Sequence, residues 1–159
     1  MKLNKLQLFT NLYTSLFVLF ILLFFGLVIV ELKSSNLNKV LVKNQVFIVD
    51  LAKNSSEWRQ GLSGRDKLAE NEAMLFIFPD YRQPHFWMKD MNFSLDILWI
   101  KDTEIVDFDE NLSPLPKNGD ILGAEKFSPD SLVNKVLEVP AGTVDRLNIQ
   151  KGDIIKPII

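Results

Sequence analysis

From Leu6 to Val30 inclusive, 25 residues pass without a single charged side chain. Nothing else in the chain constrains its folding so strongly. A helix of about 20 residues spans the hydrocarbon core of a bilayer, so this run is long enough to cross. Its inner part, Leu16 to Val30, reads LFVLFILLFFGLVIV. A buried core helix does not fit, because the run has no polar face to turn toward water. Lys2 and Lys5 precede it, and positive charge stays cytoplasmic, so the chain after Val30 is expected outside the cytoplasm. A cleaved signal peptide would close on a small-x-small site, whereas ELKSSNLN follows here. The chain has no Cys, which excludes a lipoprotein-type anchor. The expectation is an uncleaved single-pass transmembrane helix within residues 1–30, a polar Ser/Asn-rich linker over 31–39 and a soluble domain over 40–159.

Setting Lys2 and Lys5 aside from 18 basic residues leaves 16 against 20 acidic ones, a formal charge of −4 after the anchor. A mildly acidic domain of this kind lacks the basic face of a general nucleic-acid binder. Without Cys there is no disulfide, thiol nucleophile or cysteine-held metal. About 120 residues are enough to be held by their own core.

Within that domain the apolar runs are short and separated by turn signals. Val46–Leu51 alternates with Phe47, Val49 and Leu51 on one side, which predicts a strand. Asn54-Ser55-Ser56-Glu57 offers an N-cap and a first-turn acid for a short helix that glycines at 61 and 64 end. Ala73–Phe78 is apolar throughout and reads as a strand stopped by Pro79. His85–Lys89 and Leu95–Ile100 read as further strands. Lys101–Glu104 is a turn from which Ile105–Phe108 returns as a hairpin. Leu112–Gly123 is a Pro/Gly-rich loop. Lys135–Val139 predicts a strand, Thr143–Leu147 a short helix, and Ile154–Pro157 a last strand after the turn at 151–153. There is no βαβ alternation in this reading. The class it implies is mainly β: a compact antiparallel sandwich or barrel-like domain with one or two short helices.

The order of these segments resembles the bacterial and archaeal family known as domain of unknown function 192. The resemblance rests on Asp50-Leu51-Ala52; on Glu57, Gly61, Leu62 and Arg65; and on Met74-Leu75-Phe76 with Phe78. It continues through Phe86-Trp87-Met88-Lys89-Asp90, Leu95 to Ile100, Val139 to Gly142 and Gly152-Asp153. It spans roughly residues 46 to 157. Ala73 stands where the family usually has Gly, Ser63 where Met is common and Trp99 where Phe is usual. The resemblance implies a compact, mainly antiparallel β fold, often exported, and no established activity.

The densest mix of chemistry is RQPHFWMKDMNFSLDILWI, from Arg82 to Ile100. Asp96 sits inside an apolar strand, and a carboxylate there is expensive to bury without a partner. One reading pairs it with Lys89 or Arg65 in a charge-coupled cluster near Trp87. The plainer one places Asp96 and Leu98 on one side of the strand and Leu95, Ile97 and Trp99 on the other. Trp87 can hold the Lys89 cation over its ring or simply pack in the core. Arg65 can grip an anion through two hydrogen bonds or pair with Asp66, Asp90 or Asp96. His85, the only His, lacks the spacing and companions of a metal site. No Ser lies in a nucleophile frame.

The candidate ligand-binding residues are therefore Arg65, Trp87, Lys89 and Asp96, with no catalytic residue, metal or cofactor assigned. The function expected is non-enzymatic: a membrane-tethered extracytoplasmic domain binding a small ligand or an envelope protein, without nucleic acid. Two alternatives stand beside it. One is a hydrolytic or sugar-modifying enzyme using Asp90 or Asp96 with Arg65 or Lys89. The other is a structural accessory domain of the envelope.

Overall fold

The structure is a computed structural model and describes residues 13–22, 38–115 and 124–158. The chain divides into two compact units, Met1–Leu37 and Asn38–Ile159. In the first, residues 13–22 are helical. Among the described residues no helix is long and apolar enough to cross a membrane. The remainder of the span expected within 1–30, and most of the expected linker, lie outside the described residues.

The second unit is mainly β. Its strands are β1 (Lys39–Val42), β2 (Gln45–Ala52), β3 (Glu72–Arg82), β4 (Leu95–Lys101), β5 (Glu104–Leu112), β6 (Val133–Pro140) and β7 (Ile155–Ile158). They form one sheet in the order β5-β4-β6-β3-β2-β1-β7. The two ends of that order come back together. Ile105 N donates to Asp153 O and Ile155 N to Thr103 O, both at 2.8 Å, around a bridge between Glu104 and Ile154. The sheet is thus a curled half-barrel rather than a sandwich of two sheets.

Two short helices complete the unit. The first, α1 (Ser55–Gln60), begins as its sequence predicts: the Asn54 side chain accepts from Ser56 N and Glu57 N, both at 3.1 Å. Glu57 reaches back to accept from Lys53 N at 2.6 Å. The second, α2 (Thr143–Leu147), coincides with its predicted range.

Four expectations need correction. The sheet is not wholly antiparallel, because β2 and β3 pair in parallel, with Val49 opposite Ala73. A parallel pair needs a crossover, and residues 53–71 with α1 supply it, so the fold does contain one βαβ unit. Pro79 does not stop β3: the strand runs on to Arg82 through a register shift against β6 between Ile77 and Arg82, the kind of irregularity that tolerates a proline. His85–Lys89 is no strand; only Phe86 bridges, to Phe127. Finally, β1 was not anticipated; it turns into β2 through Lys43, which takes a positive φ of 53°.

Alternate residues of a strand face opposite sides, and this sheet buries both sides. On the barrel face Val42, Phe47, Val49, Leu98, Leu137 and Ile155 pack with Val144 of α2. On the other face Phe76, Phe78, Ile97, Trp99 and Val136 pack beneath Leu62 and Met88, which come from the segments between strands. Those segments build the site.

Candidate functional site

The segment after α1 and the segment after β3 are stitched together above the second face. Gly64 N donates to Asp90 O at 2.9 Å, Ser63 Oγ to Lys89 O at 3.1 Å and Asn92 Nδ2 to Arg65 O at 2.9 Å. Gly61, the C-cap of α1, adopts φ 48°, ψ −136°, and a Cβ on it would lie 3.4 Å from the Phe76 ring. Glycine therefore lets the end of the helix settle on the sheet. Phe86 stands edge-on to Phe76 and to Trp99, with ring centroids 4.9 and 5.5 Å apart.

Between these walls lies a cleft of about 1000 Å³. Its sides are aromatic: Trp58, Phe76, Phe78, Phe86 and Trp87. Arg59, Arg82, Lys89 and Lys126 also line it, with Asp90 and Glu138 as its acids. The Arg82 guanidinium sits 5.4 Å from the Trp58 ring centre and 5.1 Å from that of Phe78, and pairs with Asp80. Lys89 lies 5.6 Å over the Trp87 ring and 3.7 Å from Asp90.

Glu138 comes from β6, two strands in from the β5 edge. It is 7 % exposed and lies beside Met74 of β3 and Ile97 of β4. Its Oε2 is buried without a hydrogen-bond partner, and so is Arg82 Nε. Burial pushes the Glu138 carboxyl up to about 8, and the Arg65 cation offsets only part of that. At neutral pH Glu138 is therefore mostly a neutral acid, able to donate as well as accept.

The four candidate residues separate. Trp87 and Lys89 line the cleft and touch each other, as the cation-over-ring reading expected. Arg65 stands beside the cleft, bound to Asp50 at 2.7 Å. Asp50, Met74, Glu138 and Ile97 form one cross-strand row, which brings Arg65 into the electrostatic field of Glu138.

Asp96 belongs elsewhere, and the proposed cluster with Arg65 and Lys89 is corrected. Its cross-strand partner is Val139, on the barrel face, while its neighbour Ile97 is paired with Glu138. Its partners are backbone amides: Asn111 N at 2.8 Å, Gly142 N at 3.2 Å and Val144 N at 2.9 Å. Asp96 thus caps α2, whose own N-cap Gly142 has no side chain to do so. The alternating-strand reading of Leu95–Ile100 is the one the register bears out. A hydrolytic pair of Asp90 and Asp96 loses its geometry with it.

Glu138 is the residue that the sequence reading passed over. The signal for Glu138 was present: it is the one acid in the apolar run Val136–Val139, the same kind of anomaly that singled out Asp96. Among the described residues no three His, Asp or Glu side chains gather as metal ligands.

The geometry defines a half-barrel domain with an aromatic-walled, cation-lined cleft over a buried acid. The family model DUF192, an uncharacterized ACR, matches residues 38–157, and the chain belongs to that family. Two solved structures are similar. One is a protein of unknown function from Novosphingobium aromaticivorans, 27 % identical, with TM-score 0.67, covering 74 % of this chain and 83 % of that one. The other, from Sinorhizobium meliloti, is described as a proposed transcription regulator; it is 31 % identical, with TM-score 0.66, covering 76 % of this chain and 91 % of that one. Among curated proteins none matches.

Proposed function

We propose that this protein is a membrane-tethered extracytoplasmic domain that binds a small ligand in the cleft above Glu138. One observation carries the reading. Among the described residues, the two buried side-chain atoms without partners, Arg82 Nε and Glu138 Oε2, belong to residues lining the same cleft. An unsatisfied buried polar group costs about 1–3 kcal/mol, and a fold that keeps two of them in the residues of one cleft keeps polar chemistry there for something other than stability. The cleft volume, about 1000 Å³, suits a ligand of drug or disaccharide size. It also weighs against a purely structural accessory domain, which has no use for a polar, open interior. The tether rests on the uncharged Leu6–Val30 run behind Lys2 and Lys5.

A fragment screen by saturation-transfer NMR on the full-length chain in nonionic detergent tests the binding reading. The expected hits lose their signal in the Trp58→Ala variant and keep it when Lys101, on the far end of β4, is replaced. Hits that survive Trp58→Ala unchanged would place binding elsewhere and overturn the assignment.

A further inference from the structure

The cleft has a chemical polarity that selects among ligands. We propose that it takes an organic anion, with a carboxylate or phosphate head against Arg82 and a flat apolar body between the aromatic walls. This inference rests on the cleft being a ligand site and adds the class of ligand.

Three observations point the same way. The first is charge. The four cations Arg59, Arg82, Lys89 and Lys126 line the cleft beside Asp90 and Glu138, although the domain as a whole is acidic. Only Asp90 among these acids is paired with a cation of the cleft, Lys89 at 3.7 Å. Such a local reversal of sign concentrates anions in the opening.

The second is the demand of the two orphaned atoms. Arg82 Nε is a donor and nothing else, so it requires an acceptor. Glu138 Oε2, on a carboxyl that burial keeps mostly neutral at neutral pH, demands a polar partner of its own and sets no full negative charge against an anion. A cationic ligand would leave Arg82 Nε unanswered and would face the guanidinium, whose ion-pair partner is Asp80. An anionic oxygen at the Arg82 guanidinium makes charge-assisted hydrogen bonds of the strong kind.

The third is the wall. Trp58 and Phe78 meet edge to face with centroids 5.2 Å apart, and the Arg82 guanidinium lies over both rings. The stacking holds the guanidinium plane in place before any ligand arrives, which limits the entropy lost on binding. A head bound at Arg82 leaves its body against these rings and Phe86.

Four probes sharing a phenyl ring separate the possibilities: phenylacetate, phenyl phosphate, the neutral phenylacetamide and the cationic phenethylamine. Equilibrium dialysis of the full-length chain, with detergent alone as blank, gives their relative affinities at neutral pH. The expected order puts one of the two anions at least roughly tenfold ahead of the amide and the amine, and the better anion identifies the head group. Arg82→Gln should weaken that anion by about tenfold or more. Glu138→Gln, which keeps a neutral donor in place, should weaken it by less than Arg82→Gln does. Preference for phenethylamine, or anion binding indifferent to Arg82→Gln, would overturn the inference while leaving the cleft as a ligand site. Binding of none of the four at millimolar concentration would overturn both.

Discussion

Replacing Glu138 with Gln should stabilise the protein, and by an amount that depends on pH in a defined direction. In the folded chain burial raises this carboxyl from its ordinary 4.5 to about 8. The folded state therefore holds the proton more tightly than the unfolded chain does. The sign follows from linkage. Below pH 4.5 both states are protonated and nothing is lost. As pH rises from 4.5 to about 8 the unfolded carboxyl ionises while the folded one does not, and stability falls. Above about 8 both are ionised and the loss levels off. At 1.36 kcal/mol per pKa unit the full loss is roughly 5 kcal/mol, and about 3 kcal/mol of it is present at pH 7. Water entering the cleft would soften both values, so they are ceilings. Gln has nearly the shape of the neutral acid and cannot ionise, so its variant lacks this slope. Arg59, Arg65, Arg82, His85, Lys89, Asp90 and Lys126, the other charged or titratable groups around the cleft, are common to both proteins and largely cancel in the difference. The assay is urea unfolding of the compact unit, residues 38–159, at about pH 5, 7 and 9. With a urea m-value of roughly 2 kcal/mol/M, the midpoint gap between variant and wild type should widen by about 1–1.5 M from pH 5 to 7. Parallel midpoint curves for the two proteins across that range would refute the argument, because they would mean that Glu138 titrates alike in both states.

Asp96→Asn should destabilise the same fragment by about 2–4 kcal/mol, because a charged acceptor is withdrawn from three backbone amides. In a double-mutant cycle its cost should add to that of Arg65→Met or Lys89→Met within about 0.5 kcal/mol; a larger coupling energy would mean that these charges interact across the sheet after all. Gly61→Ala should cost about 1–3 kcal/mol in a thermal melt, since φ 48°, ψ −136° is a conformation left almost entirely to glycine, and a neutral result would show that the end of α1 is free to shift. Membranes from cells expressing the full chain should retain it through a high-salt and an alkaline wash; release of the intact chain would count against the tether.

What could be read from the sequence was decided by range. β2, β4, the β4–β5 hairpin, β6 and α2 were legible because each is set by its own alternation, cap or turn. The Asn54 cap with Glu57 and the alternation through Leu95–Ile100 are local facts, and both hold in the fold. β1 was not read as a strand because KVLV is too short to declare itself, and it exists by pairing with β7, more than a hundred residues away. The parallel pairing of β2 and β3 depends on where the crossover lands, which no residue in either strand announces.

The two buried carboxylates make the limit concrete. Asp96 and Glu138 are each a lone acid in an apolar strand, and by composition they pose the same problem. Asp96 is answered by amides at 111, 142 and 144, brought by the β4–β5 hairpin and by the chain leaving β6. Glu138 lies one residue off the Asp96–Val139 pair, so the pleat turns it to the other face. There the segments after α1 and β3 bring aromatic rings and cations but no donor to its Oε2. The difference between an acid that the fold answers and one that it leaves unanswered is thus one residue of register. Composition cannot supply that register, and the expected cluster of Asp96 with Arg65 and Lys89 fails for that reason. An acid that the fold has already satisfied has little left to offer a ligand; the one it leaves buried and unanswered is where a ligand has something to gain.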